Sequence, residues 1–103
     1  MFLYVNDQDH AIALERFHYN YLNRDENARM QMELRLSESI NDDIDFLVSL
    51  ADLPITHIVI KREEDGSALY DIAGDFVIDT LSDDIDNGER RTNLAFAKAE
   101  EIE

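Results

Sequence analysis

Residues 28–36 alternate without a break. Ala28, Met30, Met32, Leu34 and Leu36 are apolar, and Arg29, Gln31, Glu33 and Arg35 between them are polar or charged. A period of two puts the apolar set on one face of an extended chain, so this stretch predicts a half-buried strand although Met, Leu, Glu and Arg individually favour helix. A strand of this kind must have a hydrogen-bonded neighbour. Residues 10–22 offer two patterns: Ala11, Leu14, His18 and Leu22 fit a helical stripe, whereas Phe17, Tyr19 and Tyr21 alternate. With a hairpin loop at Asn23-Arg24-Asp25-Glu26-Asn27, the neighbour decides for a strand, and about 14–22 is expected to pair with 28–37.

The rest of the chain supplies further short extended segments and one helix. Phe2–Val5 is aromatic and branched and precedes a turn at Asn6-Asp7-Gln8-Asp9. Ser39 stands where an N-cap is wanted, with Asp42 in a capping-box position. Ile40, Ile44, Leu47, Val48 and Ala51 then form an apolar stripe that predicts a helix over about 40–52, ending before Pro54. Asp42, Asp45, Ser49 and Asp52 lie on its opposite face, and Asp42 and Asp43 suit the positive end of its dipole. Ile55–Arg62 reads as a strand, Glu63-Glu64-Asp65-Gly66 as a hairpin turn and Ser67–Ala73 as the returning strand. Gly74-Asp75 suits a bulge or a corner, Phe76–Leu81 continues extended, and Ser82–Gly88 reads as a turn-rich loop. Thr92, Leu94 and Phe96 alternate and predict a strand over about 90–97 with a frayed or helical end. The expectation is a single acidic α+β domain over 1–103. It is an antiparallel sheet of five to seven short strands (hairpins), with one amphipathic helix (about 40–52) packed on one face.

Charge narrows the function. The formal net charge is −15, of which residues 37–103 carry −13. From Glu63 to Glu89 there are ten acids and no Lys or Arg, interleaved with Leu69, Tyr70, Ile72, Phe76, Val77, Ile78, Leu81 and Ile85. A disordered acidic tail lacks such apolar residues, so these carboxylates are expected on folded structure. A surface of this sign repels nucleic acid and anionic membranes and attracts basic proteins. No apolar run approaches the ~18 residues of a membrane helix, and the start of the chain has no basic leader, which predicts a cytoplasmic protein.

Signatures of chemistry are sparse. There is no cysteine, so disulfides, thiolate metal sites and Cys nucleophiles are excluded. His10, His18 and His57 are the only histidines, and no two are spaced i, i+4. Asp83-Asp84-Ile85-Asp86-Asn87-Gly88 fails as a calcium loop. With Gly88 at the sixth position, the third is Ile85 and the twelfth is Leu94, neither an oxygen ligand. The glycines at 66, 74 and 88 are isolated and form no phosphate cradle. The aromatic row Phe17, Tyr19 and Tyr21 lacks the basic groove that base stacking needs. The expectation is a non-enzymatic chain with no cofactor and no metal.

The sequence therefore predicts an acidic protein-binding module. The expected partner-binding residues are Asp42, Asp45, Asp52, Glu63, Glu64, Asp65, Asp79, Asp83, Asp84, Asp86 and Glu89. Their expected counterpart is a basic protein surface, such as the nucleic-acid groove of a nuclease. In size and composition alone, the chain is similar to small acidic DNA-mimic inhibitors that bacteriophages and mobile elements direct against restriction or CRISPR nucleases. That similarity implies action in the cytoplasm of a host cell. The alternative is a small β-rich structural subunit of a phage particle or other assembly. A weaker option is a regulator or immunity-type protein with one basic partner.

Overall fold

A computed structural model describes residues 1–20 and 29–98. In it the chain forms six strands and one helix: β1 (Phe2–Val5), β2 (Ile12–Asn20), β3 (Arg29–Leu34), α1 (Ile40–Ser49), β4 (Ile55–Lys61), β5 (Ala68–Asp86) and β6 (Glu89–Lys98). Every pairing is antiparallel, and the sheet closes into a barrel of order β1-β2-β3-β6-β5-β4. Closure is what the alternation alone did not disclose. It is made by β1 against β4, with Phe2 opposite Lys61 and Val5 opposite Ile58. Closure pairs β1 with β4, so neither is left as a free edge strand, which suits a chain whose strands are half apolar.

The predicted pairing of 14–22 with 28–37 appears as Leu14 opposite Leu34 through Tyr19 opposite Met30, with a bulge at Glu15. The expected hairpin loop at 23–27, together with Ala28, lies outside the described residues. Met30, Met32 and Leu34 are buried as the alternation requires, but Leu36 lies past the strand and is 58% exposed. The interior is completed by Leu3, Val5, Ile12, Leu14, Ile55, Ile58, Ile60, Phe76, Leu94 and Phe96. Packed against this interior, on the face of their partners Met32, Met30 and Ile60, Phe17 and Tyr19 of β2 meet the ring of Tyr70 of β5 at 5.0 and 6.4 Å between centroids.

One expectation about β5 is corrected. Residues 82–86 are not a loop: the strand runs unbroken to Asp86, and only Asn87-Gly88 turns. Both turn residues have positive φ (53° and 80°), as the two-residue hairpin turn requires, so nothing before them has to leave the strand. The polar composition of 82–86 reflects exposure rather than irregularity. Gly74-Asp75 does contain a bulge: three steps from Ala73 to Phe76 face two from Ile55 to His57. A second bulge inserts Asp79 between Ile78 and Thr80. If straight, nineteen residues of strand would reach roughly 60 Å at about 3.3 Å each. The longest dimension of the molecule is 43 Å, so β5 must curve, and these bulges are where a strand bends.

The helix is shorter than expected and turned. It ends at Ser49, and its buried residues are Ile40, Asp43 and Leu47, with Leu50 just beyond. Ile40, Leu47 and Leu50 belong to the same core cluster as the strand residues, and Ile44 packs partly against it. Val48, assigned to the apolar stripe by its spacing, is 57% exposed, and Ala51 is exposed beyond the helix. Ser39 occupies the N-cap position but makes no side-chain cap bond. Its Oγ lies 3.2 Å from Ser37 Oγ instead. No helix among the described residues is long and apolar enough to cross a membrane. The predicted frayed end of the last strand falls partly outside the described residues; β6 itself is extended through Lys98.

Candidate protein-interaction surface

A run of acids, Asp83, Asp84, Asp86 and Glu89, stands on the β5–β6 hairpin. β3 stops pairing with β6 at Leu34 opposite Thr92. The residues from Asp84 to Arg91 therefore continue as a two-stranded ribbon: Asp84 faces Arg91, Ile85 faces Arg90, and Asp86 faces Glu89. Directly opposed residues share a face, so Asp84, Asp86, Glu89 and Arg91 point one way. Asp83, Ile85, Arg90 and the buried Thr92 point the other.

These two faces have different roles. Asp83, although exposed, anchors the ribbon. Arg90 donates from Nε at 2.9 and 3.0 Å and from Nη2 at 2.6 Å to its two oxygens, and Thr92 Oγ1 donates at 3.1 Å. Those bonds, the Arg90 contact first, hold the Asp83 carboxyl below its usual range; Asp83 in turn raises Arg90. The same guanidinium donates to Asn41 Oδ1 on α1 at 3.0 Å, which ties the ribbon to the helix. On the other face, Glu89 has Arg91 at 3.8 Å, while Asp84 and Asp86 make no ion pair among the described residues.

Asn41 brings the start of α1 beside this ribbon. Asp42 and Asp45 are exposed there, and Asp52 is exposed past the helix end. Asp43 is not. It is 4% exposed, and its Oδ1 lies 2.7 Å from Nε2 of His10, whose ring stacks parallel on Phe46 at 4.4 Å. A buried carboxylate beside a histidine invites an acid–base reading, but neither residue lines the groove beside Arg16, His18, Glu33 and Asn93. Asp79, the bulged residue of β5, is exposed.

Glu63, Glu64 and Asp65 do not join this group. They form the exposed β4–β5 turn, closed by Gly66 N–H to Glu63 O at 3.0 Å, at the start of the strand whose far end carries Asp83–Asp86. The expected partner-binding residues therefore include two acidic regions at opposite ends of β5.

Two features escaped the sequence reading because their parts are distant in the chain. His57 is held between Asp7 and Asp71, its Nδ1 to the first and its Nε2 to the second. The bond to Asp71 first, then that to Asp7, raises the imidazole above its ordinary value. Asp7 is presented by a turn in which Asn6 and Asp7 both have positive φ. The Asn6 side chain donates to Pro54 O at 3.1 Å and accepts from Thr56 N–H at 2.9 Å. The second feature is a groove of about 760 Å³ lined by residues such as Arg16, His18, Gln31, Glu33, Thr80 and Asn93. Its one close charge pair, Arg16 with Glu33, is a loose 4.0 Å. Among the described residues, no three His, Asp or Glu side chains are placed to share a metal ion. Comparison with protein families, curated proteins and solved structures finds no match to this chain.

Proposed function

We propose that this chain is a non-enzymatic, acidic protein-binding module whose partner is a basic, nucleic-acid-binding surface such as the groove of a nuclease. It would act as a phage or mobile-element inhibitor does, in the cytoplasm of a host cell. The observation that carries the reading is the ordered β5–β6 ribbon, with Asp84, Asp86 and Glu89 exposed together on one face; α1, with Asp42 and Asp45 exposed, is tied to the opposite, Arg90 face through Asn41. In the same reading α1 packs on one face of the sheet through Ile40, Leu47 and Leu50, which keeps Asp42 and Asp45 outward.

Charge density decides which acids matter. Duplex DNA carries one charge per ~1.7 Å of axis. Asp71, Asp75 and Asp79 recur every fourth residue, about 13 Å apart along an extended strand, and Asp71 is committed to His57. The middle of β5 is therefore a poor imitation of phosphate, and the ribbon is the better one. The arginines do little to offset it: Arg90, Arg91, Arg16 and Arg35 each already lie beside a carboxylate.

The structural-subunit reading draws on a separate observation, the exposed apolar side chains Leu36, Val48, Leu53 and Ile85. One experiment separates the two. The protein is immobilised and challenged with host lysate at about 50 and 200 mM salt, a span over which contacts that imitate several phosphates weaken steeply. The bound fraction is then eluted with excess duplex DNA. Release by DNA and by salt is expected. Retention indifferent to both, or self-assembly into regular oligomers without a bound partner, refutes the decoy.

A further inference from the structure

The closed barrel has one long uneven seam. β5 pairs with β4 only along Ala68–Phe76 and with β6 only along Phe76–Asp86. Past Phe76, the edge of β5 that faced β4 meets no strand among the described residues. Among the described residues, no backbone bond outside the regular elements reaches Leu81–Asp86 either. Ser82 is half-buried and Asp83 through Asp86 are exposed, with Ile85 at 80%. Backbone N–H and C=O groups seek partners, and an unpaired edge is a template for one more strand. Recognition of extended segments by strand addition takes its affinity from such a ladder and its specificity from alternate side chains.

The side chains on this edge define what fits. Asp84 and Asp86 project on one face and Ile85 on the other. Opposite charges across a strand pair attract and like charges repel. The edge therefore repels a second copy of this acidic chain and favours a basic strand. The Arg90 bonds to Asp83 and Asn41 hold the ribbon before any partner arrives, which reduces the ordering needed on binding. We infer that the Leu81–Asp86 edge of β5 is a strand-addition site. Its occupant is an extended segment of the basic partner in which Lys or Arg alternates with apolar residues, bases alongside Asp84 and Asp86 and an apolar side chain alongside Ile85. This rests on the proposed function and states how the partner is gripped.

The test uses the full chain and an eight-residue blocked peptide alternating lysine and valine. Two companion peptides of identical charge are N-methylated at every second residue, one in each phase, so that each loses the N–H groups of one edge. Binding and site-specific amide exchange are followed by NMR at low salt. The unmodified peptide should slow exchange at alternate amides within 81–86 by more than tenfold. One methylated phase should bind more than tenfold more weakly, and Ile85→Thr should weaken the unmodified peptide several-fold. If all three peptides bind alike and no amide in 81–86 gains protection, strand addition is refuted while the acidic-surface reading stands. If none binds at low salt, both fall.

Discussion

Leu47→Ala and Val48→Ala, made side by side, test how α1 is oriented. The two residues are neighbours in one apolar stripe by spacing, but Leu47 is fully buried and Val48 is 57% exposed. Truncating Leu47 removes three carbons from the core at about 0.8 kcal/mol each. The space left in a cluster shared with Ile40 and Leu50 raises this to about 3 kcal/mol, within the ~2–5 kcal/mol known for such changes. That is a large part of the ~5–15 kcal/mol that holds a domain folded. At roughly 4–8 °C per kcal/mol, Tm should fall by about 12–24 °C. Val48→Ala removes exposed carbons and improves helix propensity, so it should stay within ~0.5 kcal/mol of the parent. Urea unfolding followed by circular dichroism measures both, with an unchanged m-value as the check that the denatured state is the same. A loss below ~1 kcal/mol at Leu47, or equal losses at the two positions, would show that the buried face of α1 has been assigned wrongly.

Three further outcomes follow from local geometry. His57 has a folded value above its ordinary 6.5 because Asp71 and Asp7 favour the charged ring. Its contribution is therefore fully present below pH 6.5 and is lost as pH rises through the higher folded value. The stability difference between the parent and His57→Gln should shrink over that rise, and an NMR titration placing the ring below 6.5 would contradict it. Gly88→Ala has open space for its Cβ but a φ of 80°, so it should destabilise by about 1–2 kcal/mol from backbone strain alone, read by urea unfolding. Asn6→Gly keeps the left-handed turn but deletes the bonds to Pro54 and Thr56. A loss of about 1–3 kcal/mol in thermal unfolding is expected, and no loss would mean the clip is ornamental.

Much of the strand content was legible because it depends on local period. Met30, Met32 and Leu34 declare a face, and Asn87-Gly88 declares a turn. The helix was legible in position but not in rotation, because Ile44, Leu47, Val48 and Ala51 satisfy the spacing without saying which of them meets the core. Asp43 is the reason the guess failed. A carboxylate looks like a solvent residue until His10, 33 positions away, comes within 2.7 Å of it. Closure of the barrel, the Asp7–His57–Asp71 clamp and the separation of Glu63–Asp65 from Asp83–Glu89 all depend on pairings between distant segments. No local pattern encodes those. The same limit applies to the candidate surface: composition shows that acids abound, but only the register of β5 on β6 tells that Asp83 looks inward at Arg90 while Asp84 and Asp86 look out.

The place of β6 in the strand order bears on biosynthesis. Among the described residues it is the last strand in chain order, yet it lies between β3 and β5. Until it leaves the ribosome, two partial sheets are joined only where β1 meets β4, and β3 has one flank bare. Assembly must wait for contacts far apart along the chain, which slows folding and prolongs exposure to aggregation. A nascent chain stalled before residue 89 should be captured by chaperones, whereas release of the last ten residues of strand should free it in a single cooperative step.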